Sequence, residues 1–185
     1  MSYCFDFIET PISKFFVLDS PKGIHYLIKY NDIRIKSIIK LYNPSKGLIF
    51  RKVNIFISEF FKGNIQKPLH LKIEFINGTP LQKKVWKEIL KIPYGKTISY
   101  SDLAIKIKKP KAVRAIASAV GKNPVGLLVP CHRVVTKSGN LGEYMWGKKI
   151  KRQILDIEYR GMADSTYRGG KWNTESAPAW MLTEH

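Results

Sequence analysis

Cysteine and long apolar segments are both scarce in this sequence. Among 185 residues only Cys4 and Cys131 carry a thiol, which excludes a disulfide framework and favours a reducing compartment. No apolar run reaches the roughly 18 residues of a membrane-spanning helix, and the N-terminus lacks the basic and apolar regions of a signal peptide. We therefore expect an intracellular, cytoplasmic protein.

Metal ligands at short spacing are also missing. Cys4, His25, His70 and His132 are scattered along the chain, without the close pairs that structural zinc sites use. We therefore expect no metal site and no cofactor.

Acidic residues are few in comparison with basic ones. The chain has 32 Lys and Arg against 14 Asp and Glu, which gives a formal net charge of +18. Residues 76–162 hold 18 basic and 5 acidic side chains, whereas residues 1–75 hold 12 and 6. This surplus predicts that the later segment binds a polyanion. A generally lysine-rich surface that keeps the protein soluble is the alternative interpretation.

Residues 1–77 are expected to form a scaffold domain, a β-sheet with one helix. Apolar runs between turn residues predict strands, the first three of them joined as successive hairpins. These predicted strands are residues 15–18, 24–30, 33–39 and 69–76. Apolar residues at helical spacing over residues 53–61, ended by Gly63, predict the helix.

Residues 78–162 carry the signals of a mostly helical domain. Thr79 and Pro80 suit the N-cap and the first position of a helix. A capped short helix over residues 97–104 and a second helix over residues 111–120 predict a helix-turn-helix. The second helix is rich in small residues, which suits close approach to the minor groove of DNA.

Three segments complete the predicted organisation. Residues 137–142 are expected to form a flexible, wing-like loop, and residues 148–159 a basic helix. Periodicity ends after residue 162, so residues 163–185 are interpreted as a loose tail outside the fold.

The chemistry is concentrated in residues 129–135, Val-Pro-Cys-His-Arg-Val-Val. Cys131 lies between apolar residues and is followed directly by His132, so a buried thiol has a titratable neighbour. An imidazole or a nearby cation such as Arg133 raises the thiolate fraction of a cysteine. Cys131 is therefore a candidate nucleophile, and a buried structural cysteine is the alternative.

Cys131 also belongs to a longer string of regularly spaced residues. Pro-Cys-His-Arg-Val-Val is preceded by Asn123-Pro124-Val125 and followed by Gly139, Gly142 and Tyr144. Over residues 78–158 this pattern resembles the O6-alkylguanine-DNA alkyltransferase family.

The resemblance implies an α/β protein of two domains. The N-terminal domain, residues 1–77, would be an RNase H-like sheet with a helix, and residues 78–162 would be a mostly α winged-helix domain with the helix-turn-helix. The implied partner is double-stranded DNA containing O6-alkylguanine, bound by a monomer. The implied activity is irreversible, stoichiometric transfer of an alkyl group, mainly methyl, from O6-alkylguanine and from O4-methylthymine to Cys131, after minor-groove binding and base flipping.

The resemblance also implies roles for a catalytic series and for base-binding residues. Cys131 would accept the alkyl group, His132 would activate it through a water, and Glu158 would orient His132. The residues implied in binding DNA and the flipped base are the hydrogen-bonding Tyr100, the arginine finger Arg114, the hinge Asn123, the backbone carbonyl of Val134 and the pocket wall Tyr144. The alternatives are an exposed helix charge for Glu158, a phosphate contact for Arg114, a core role for Tyr100 and a plain turn for Asn123.

Met145-Trp146 departs from the small residues of some relatives. Two bulky side chains at the mouth of the pocket predict that methyl groups are accepted readily and benzyl groups slowly, and that benzylguanine as a free base inhibits poorly.

Two other functions remain open at this point. A helix-turn-helix with a basic surface also suits a non-catalytic protein that binds alkylated DNA, although such relatives lack the acceptor cysteine. A cysteine hydrolase that uses Cys131 as nucleophile and His132 as base is the second alternative. Papain-like enzymes, however, do not place their histidine next to the nucleophile in the sequence.

Overall fold

The computed structural model of the chain describes residues 2–49, 51–64 and 71–166. Its N-terminal part is built on a four-stranded sheet in the order β3-β2-β1-β4. The strands are β1 (Cys4–Glu9), β2 (Lys14–Ser20), β3 (Gly23–Lys29) and β4 (Ser45–Lys46). β2 is antiparallel to β3, as the predicted hairpin of residues 15–18 and 24–30 required, and it is also antiparallel to β1, whereas β4 runs parallel to β1.

β2 and β3 are buried along almost their whole length because both faces of the sheet are covered there. Phe15 and Val17 point into the cluster that contains the C-terminal helices, whereas Phe16 and Leu18 point to the opposite face. Full burial of one such side chain contributes about 1.5–3 kcal/mol. Alternation along β2 therefore directs one set of side chains toward the rest of the molecule.

The prediction of a strand at residues 33–39 is wrong, because this segment forms the helix α1 (Arg34–Tyr42). Its buried residues Ile35 and Ile38 are three apart and cover one face of the sheet. The carboxylate of Asp32 accepts a hydrogen bond from the first helical N–H at 2.9 Å, which helps to start the helix. Alternating charges suggested a period of two, but the apolar residues follow the period of a helix.

The other predictions for the N-terminal region agree with the structure to different degrees. The helix predicted over residues 53–61 is confirmed as α2 (Lys52–Phe61), whereas β1 had not been predicted. The described part of the predicted strand at residues 69–76 makes one isolated parallel bridge, between Ile73 and Ile24. Residues 69 and 70 lie outside the described residues.

The C-terminal part is mostly helical, as predicted. Its helices are α3 (Pro80–Ile89), α4 (Tyr100–Lys106), α5 (Val113–Gly121) and α6 (Lys148–Thr166). Short strands β5 (Ile98–Ser99) and β6 (Val134–Val135) pair in parallel, and 3₁₀ turns occupy Pro110–Ala112 and Cys131–Arg133. α6 extends beyond residue 162, so residues 163–166 are helical rather than a loose tail. Residues 167–185 lie outside the described residues.

Local caps determine where α3 and α4 begin, and α4 begins three residues later than the predicted span of 97–104. The Thr79 hydroxyl accepts from the Gln82 N–H, and the Gln82 side chain accepts from the Thr79 N–H, which completes a capping box. Ser99 caps α4 in the same way, by accepting from the Asp102 N–H at 3.0 Å. Trp86 lies in the core, and its indole N–H donates to the Ala119 carbonyl at 2.8 Å.

One apolar cluster joins the sheet to the C-terminal helices. It contains Phe15 and Leu27 from the sheet together with Val85 from α3 and Ile116 from α5. Backbone hydrogen bonds also connect the edge strand β3 to the segment before Cys131. The Leu27 N–H donates to the Pro124 carbonyl, and the Gly126 N–H donates to the Leu27 carbonyl, both at 2.9 Å. The sheet therefore holds the loop that carries the cysteine.

None of the helices in residues 2–49, 51–64 and 71–166 is long and apolar enough to cross a membrane.

Candidate active site around Cys131

Cys131 begins a 3₁₀ turn at the end of a buried loop. Its side chain is 2% exposed, and its sulfur accepts a hydrogen bond from Asn123 Nδ2 at 3.1 Å. The same amide nitrogen donates to the Val129 carbonyl at 2.8 Å, and Asn123 Oδ1 accepts from the Val125 N–H at 3.0 Å. Asn123 thus ties the two ends of the loop together and reaches the thiol.

The loop before Cys131 includes a strained backbone position. Leu127 has φ of +65°, in the left-handed region that side chains other than glycine seldom adopt. Its side chain is buried, so the surrounding packing holds this conformation in place. Strain of this kind tends to occur where a protein must hold a functional group in one geometry.

His132 and Glu158 form a buried pair next to the cysteine. The distance from His132 Nε2 to Glu158 Oε1 is 2.8 Å, and both side chains are fully buried. A carboxylate only accepts hydrogen bonds, so Nε2 carries the proton when the imidazole is neutral. His132 Nδ1 then has a free lone pair, and it has no hydrogen-bond partner among the described residues. This atom can accept a proton.

Arg133 binds Glu158 rather than facing Cys131. Its Nε and Nη2 atoms donate to the Glu158 carboxylate at 2.9 and 2.7 Å, and its Nη1 donates to the Ile92 carbonyl at 2.6 Å. The Gly95 N–H also donates to Glu158, at 3.1 Å. Burial alone would raise the pKa of Glu158, but His132 and Arg133 outweigh it and lower the pKa to about 2. Glu158 therefore stays ionised.

The resting thiol is protonated. Burial raises the pKa of Cys131, and the Asn123 hydrogen bond and the Lys151 charge oppose that rise only in part. Burial lowers the pKa of His132, with Glu158 opposing, so the imidazole is neutral. The sequence had suggested an increased thiolate fraction, but the cost of desolvating a charge dominates here. The site thus holds a protonated thiol and, at the next residue, a neutral base that is hydrogen-bonded to an ionised carboxylate.

A cavity of about 450 Å³ is lined in part by Cys131. The predicted residues Tyr100, Tyr144 and Met145 line it together with Cys131, and Val120 from α5 adds an apolar wall. The structure therefore brings several of the predicted site residues together around the thiol, in a space large enough for a small planar ligand.

Comparison with known proteins agrees with this arrangement. A family profile described as "6-O-methylguanine DNA methyltransferase, DNA binding domain" matches residues 80–160. A probable methylated-DNA–protein-cysteine methyltransferase of Acanthamoeba polyphaga mimivirus is 41% identical over 143 residues, which cover 77% of this chain and 94% of the relative. The chain belongs to the methylated-DNA–protein-cysteine methyltransferase family. It is accordingly a DNA-repair methyltransferase that binds DNA.

Solved structures show the same fold for most of the chain. The O6-methylguanine methyltransferase of Mycobacterium tuberculosis is 30% identical, covers 85% of this chain and 93% of its own, and superimposes with a TM-score of 0.76. The same bacterium's protein in complex with DNA is 29% identical, with a TM-score of 0.75 over 87% of this chain and 94% of its own. The fold is thus the mixed α/β fold of these enzymes.

Trp146 does not lie at the mouth of the pocket, in contrast to the prediction. Met145 lines the cavity, but Trp146 is 8% exposed and belongs to the apolar cluster that joins the sheet to the helices. Met145 and Trp146 occupy a turn that is closed by the hydrogen bond from the Gly147 N–H to the Tyr144 carbonyl at 2.9 Å, and only the first of the two side chains faces the cavity. Met145 is therefore the bulky residue at the pocket.

Arg114 and Val134 also lie outside the cavity lining, as do Asn123, His132 and Glu158. Arg114 is exposed in the first turn of α5, at the surface expected to meet DNA. Val134 is buried in β6, and its carbonyl, the expected acceptor for a guanine amine, already accepts from Lys151 Nζ at 2.5 Å. A carbonyl has a second lone pair, so one acceptor position of Val134 is left.

Lys151 is a site residue that the sequence did not reveal. It is fully buried, donates to the carbonyls of Val134 and Leu141, and lies 5.9 Å from the ring centroid of Tyr144. Burial lowers its pKa to about 8. In the sequence it is one of several basic residues on α6, and only the fold distinguishes it from its exposed neighbours.

Proposed function

We propose that this protein transfers the alkyl group, mainly methyl, of O6-alkylguanine and of O4-methylthymine in duplex DNA to Cys131, once per molecule. The observation that supports this most directly is the buried thiol at the floor of a cavity, beside a histidine with one free ring nitrogen. Family membership supplies the reaction class.

The residues suggest the order of events in the transfer. His132 Nδ1 takes the proton of the Cys131 thiol, directly or through a water, and Glu158 stabilises the imidazolium that forms. The sulfur attacks the alkyl carbon, an S–C bond forms, and the C–O bond breaks with its electron pair going to the base. The proton held by His132 then neutralises the leaving base. The resulting thioether has no leaving group, so the thiol is not regenerated.

A base must leave the helical stack to reach this thiol. The Cys131 side chain is almost fully buried, so a stacked, paired guanine could not bring its alkyl carbon to the sulfur. We propose that the nucleotide is flipped out through the minor groove, that α5 approaches the groove with its small residues, and that Arg114 fills the gap in the stack. Tyr100 and the backbone carbonyl of Val134 would then bind the flipped base, and Tyr144 would wall the pocket. Flipping costs a few kcal/mol.

The domain description belongs to the same proposal. Residues 1–77 would be an RNase H-like scaffold, and residues 78–162 a winged-helix domain whose wing is the loop at residues 137–142. The antiparallel β1–β3 with α1 and α2, and α4 and α5 in sequence, are compatible with this division. A monomer within the cell compartment that holds the DNA would suffice for the reaction.

Alanine substitution of each of two basic residues near the start of α5 tests the mode of DNA binding. Arg114→Ala should slow transfer by about 100-fold at saturating DNA if the side chain stabilises the flipped state. Lys111→Ala, the matched control, should weaken binding to all duplexes and reduce the salt dependence by about one phosphate contact, with the saturated rate preserved. Equal effects of the two variants on the saturated rate would contradict the assignment of Arg114.

Titration of the protein against methylated duplex tests the proposed function. Duplex DNA with one O6-methylguanine is incubated with increasing protein, and restored guanine is quantified after digestion to nucleosides. We expect restored guanine to equal the amount of protein and then to stop, with Cys4→Ser behaving like the wild type and Cys131→Ser inactive. Binding without restored guanine would favour a non-catalytic lesion-binding protein.

A further inference from the structure

Trp146 has a position that the transfer reaction alone does not explain. It follows Tyr144 and Met145, which line the cavity, yet its own ring turns into the core beneath them. Its indole N–H is buried and has no hydrogen-bond partner among the described residues. Burial of an indole whose N–H is unpaired costs free energy that a purely apolar ring would not cost, so we expect the contacts of this ring to contribute to function.

The indole contacts three separate parts of the site. Its centroid is 4.6 Å from that of Phe15 in β2, at 46°, and 5.6 Å from that of Tyr144, at 76°. Both distances lie in the range of favourable aromatic pairs. The far edge of the indole covers Gly126, where an added Cβ would lie 2.3 Å from Cζ2. Trp146 therefore lies between the sheet, the cavity wall and the loop that carries Cys131.

Tyr144 depends on such packing for its position. Its hydroxyl is buried and interacts with the Cys131 thiol, although no hydrogen bond of regular geometry joins it to the described residues. The ring itself is held by the edge-to-face contact with Trp146 and by the Lys151 ammonium, 5.9 Å from its centroid. A shift of the indole would therefore move the wall of the cavity relative to the thiol.

We propose that Trp146 is a positioning residue that holds Tyr144 against the cavity and thereby sets the size of alkyl group that reaches Cys131. The inference rests on the alkyl transfer proposed above. Phe15 supports the indole from β2, so the N-terminal sheet takes part in substrate selection although it contributes no residue to the cavity lining.

The first test compares methyl and benzyl transfer in Trp146→Ala, Trp146→Phe and Phe15→Leu. Single-turnover rate constants are measured at saturating duplex, together with the Kd for unmodified duplex and a thermal unfolding curve. In Trp146→Ala we expect methyl transfer to slow by about 10- to 100-fold. The benzyl-to-methyl rate ratio should rise by about tenfold as the wall loosens. The Kd should not change.

The conservative variants separate positioning from folding. Trp146→Phe keeps a ring on Phe15 and Tyr144 and removes only an unpaired N–H, so both rates should return to within a few-fold of the wild type. Phe15→Leu is remote from the cavity and should raise the benzyl-to-methyl ratio in the same direction as Trp146→Ala. An unchanged ratio in folded Trp146→Ala would overturn the proposal. If that variant does not fold, an unchanged ratio in Phe15→Leu overturns it.

A second test uses the close approach of Trp146 to Gly126. The φ angle of Gly126 is outside the left-handed region, so alanine is strained there only by its neighbours. We expect Gly126→Ala to slow methyl transfer by about tenfold or more. Adding Trp146→Phe, which removes the far edge of the indole, should recover most of that loss. A double variant as slow as Gly126→Ala would contradict the proposed support.

The wild-type protein distinguishes failure of this inference from failure of the proposed function. If the wild type transfers no alkyl group, the proposed function is wrong. If the wild type transfers methyl and its benzyl-to-methyl ratio does not depend on Trp146 or Phe15, only the present inference fails.

Discussion

Two histidines are buried in the part of the chain that the structure describes, and their surroundings differ in one respect. His25, in the sheet, has both ring nitrogens bonded, with Nε2 2.7 Å from Ser20 Oγ and Nδ1 3.0 Å from the Glu74 carbonyl oxygen. His132 has only Nε2 bonded, to Glu158 at 2.8 Å, and its Nδ1 has no partner among the described residues. Both ring nitrogens of His25 are thus occupied by hydrogen bonds, whereas one ring nitrogen of His132 is left unbonded.

The difference shows what separates a buried histidine with a structural role from one that can accept a proton in a reaction. A carbonyl only accepts, so His25 Nδ1 donates to Glu74 and Nε2 accepts from the Ser20 hydroxyl, which uses both nitrogens. Burial lowers the pKa of both histidines, so both are neutral at pH 7. Only His132 therefore has a free lone pair for a proton, and it lies next to the thiol in sequence.

Replacing His132 should have the largest effect on the reaction. His132→Gln keeps a hydrogen-bond donor for Glu158 but cannot take up the thiol proton. We expect the single-turnover rate of methyl transfer to fall by about 10²- to 10⁴-fold, with the Kd for duplex DNA unchanged. In the wild type the rate should decline as pH falls through the lowered pKa of His132, below 6.5.

His25→Gln is the matched control for this prediction. Its transfer rate per folded molecule should equal that of the wild type, because His25 lies in the sheet, away from the cavity. A similar loss of rate in both variants would break the comparison between the two histidines.

Removing the charge of Glu158 should have the next largest effect, and it should act on stability as well as rate. Glu158→Gln leaves the Arg133 guanidinium and His132 against a neutral amide. Breaking a buried charged pair costs about 3–5 kcal/mol in the free energy of unfolding, measurable by denaturant titration. Glu9→Gln, at a carboxylate whose side chain is 77% exposed, should change stability by less than about 0.5 kcal/mol.

The dependence of the free energy of unfolding on acid pH provides a second measure of how much the Glu158 anion stabilises the folded protein. Its pKa is about 2 in the folded protein, below its ordinary value of 4.5, so the unfolded chain binds the proton first as pH falls. The stabilisation is therefore complete above pH 4.5 and is lost between 4.5 and 2. Glu158→Gln should lack this loss. An unchanged acid transition in the variant would show that Glu158 is not stabilised as an anion.

The smallest of these effects is expected at His25. His25→Gln should lower the free energy of unfolding by about 1–3 kcal/mol, because Ser20 and the Glu74 carbonyl lose their fitted partner. The lowered pKa of His25 means that wild-type stability falls as pH drops below 6.5, where the unfolded chain takes up the proton first. The variant should lose this part of the pH dependence. Stability equal to the wild type would mean that the bonds of His25 contribute little.

The parts of the fold that sequence reasoning predicted well have local causes. The capping box at Thr79 and the cap at Ser99 determine where α3 and α4 begin, and both signals occur within four residues. The segment 33–39 was misread because charges at alternate positions hid the helical spacing of Ile35 and Ile38. That spacing becomes decisive only once the sheet provides a surface to cover.

The site was predictable where one residue type carries the chemistry and not where tertiary packing decides. Cys131 and His132 are adjacent, so the motif alone identified them as candidates. The partner that Arg133 binds lies 25 residues away, the burial of Lys151 depends on how α6 packs, and the inward turn of Trp146 depends on Phe15. None of these three facts has a local sequence signal.

The central claim, that Cys131 is the alkyl acceptor, is tested most directly by mass spectrometry of the protein after incubation with duplex DNA containing one O6-methylguanine. We predict a gain of one methylene unit per molecule, located on the peptide that contains Cys131. Cys4→Ser should show the same gain, and Cys131→Ser none. An unchanged mass in a protein that still binds the duplex, or a methylene located on Cys4, would contradict the account.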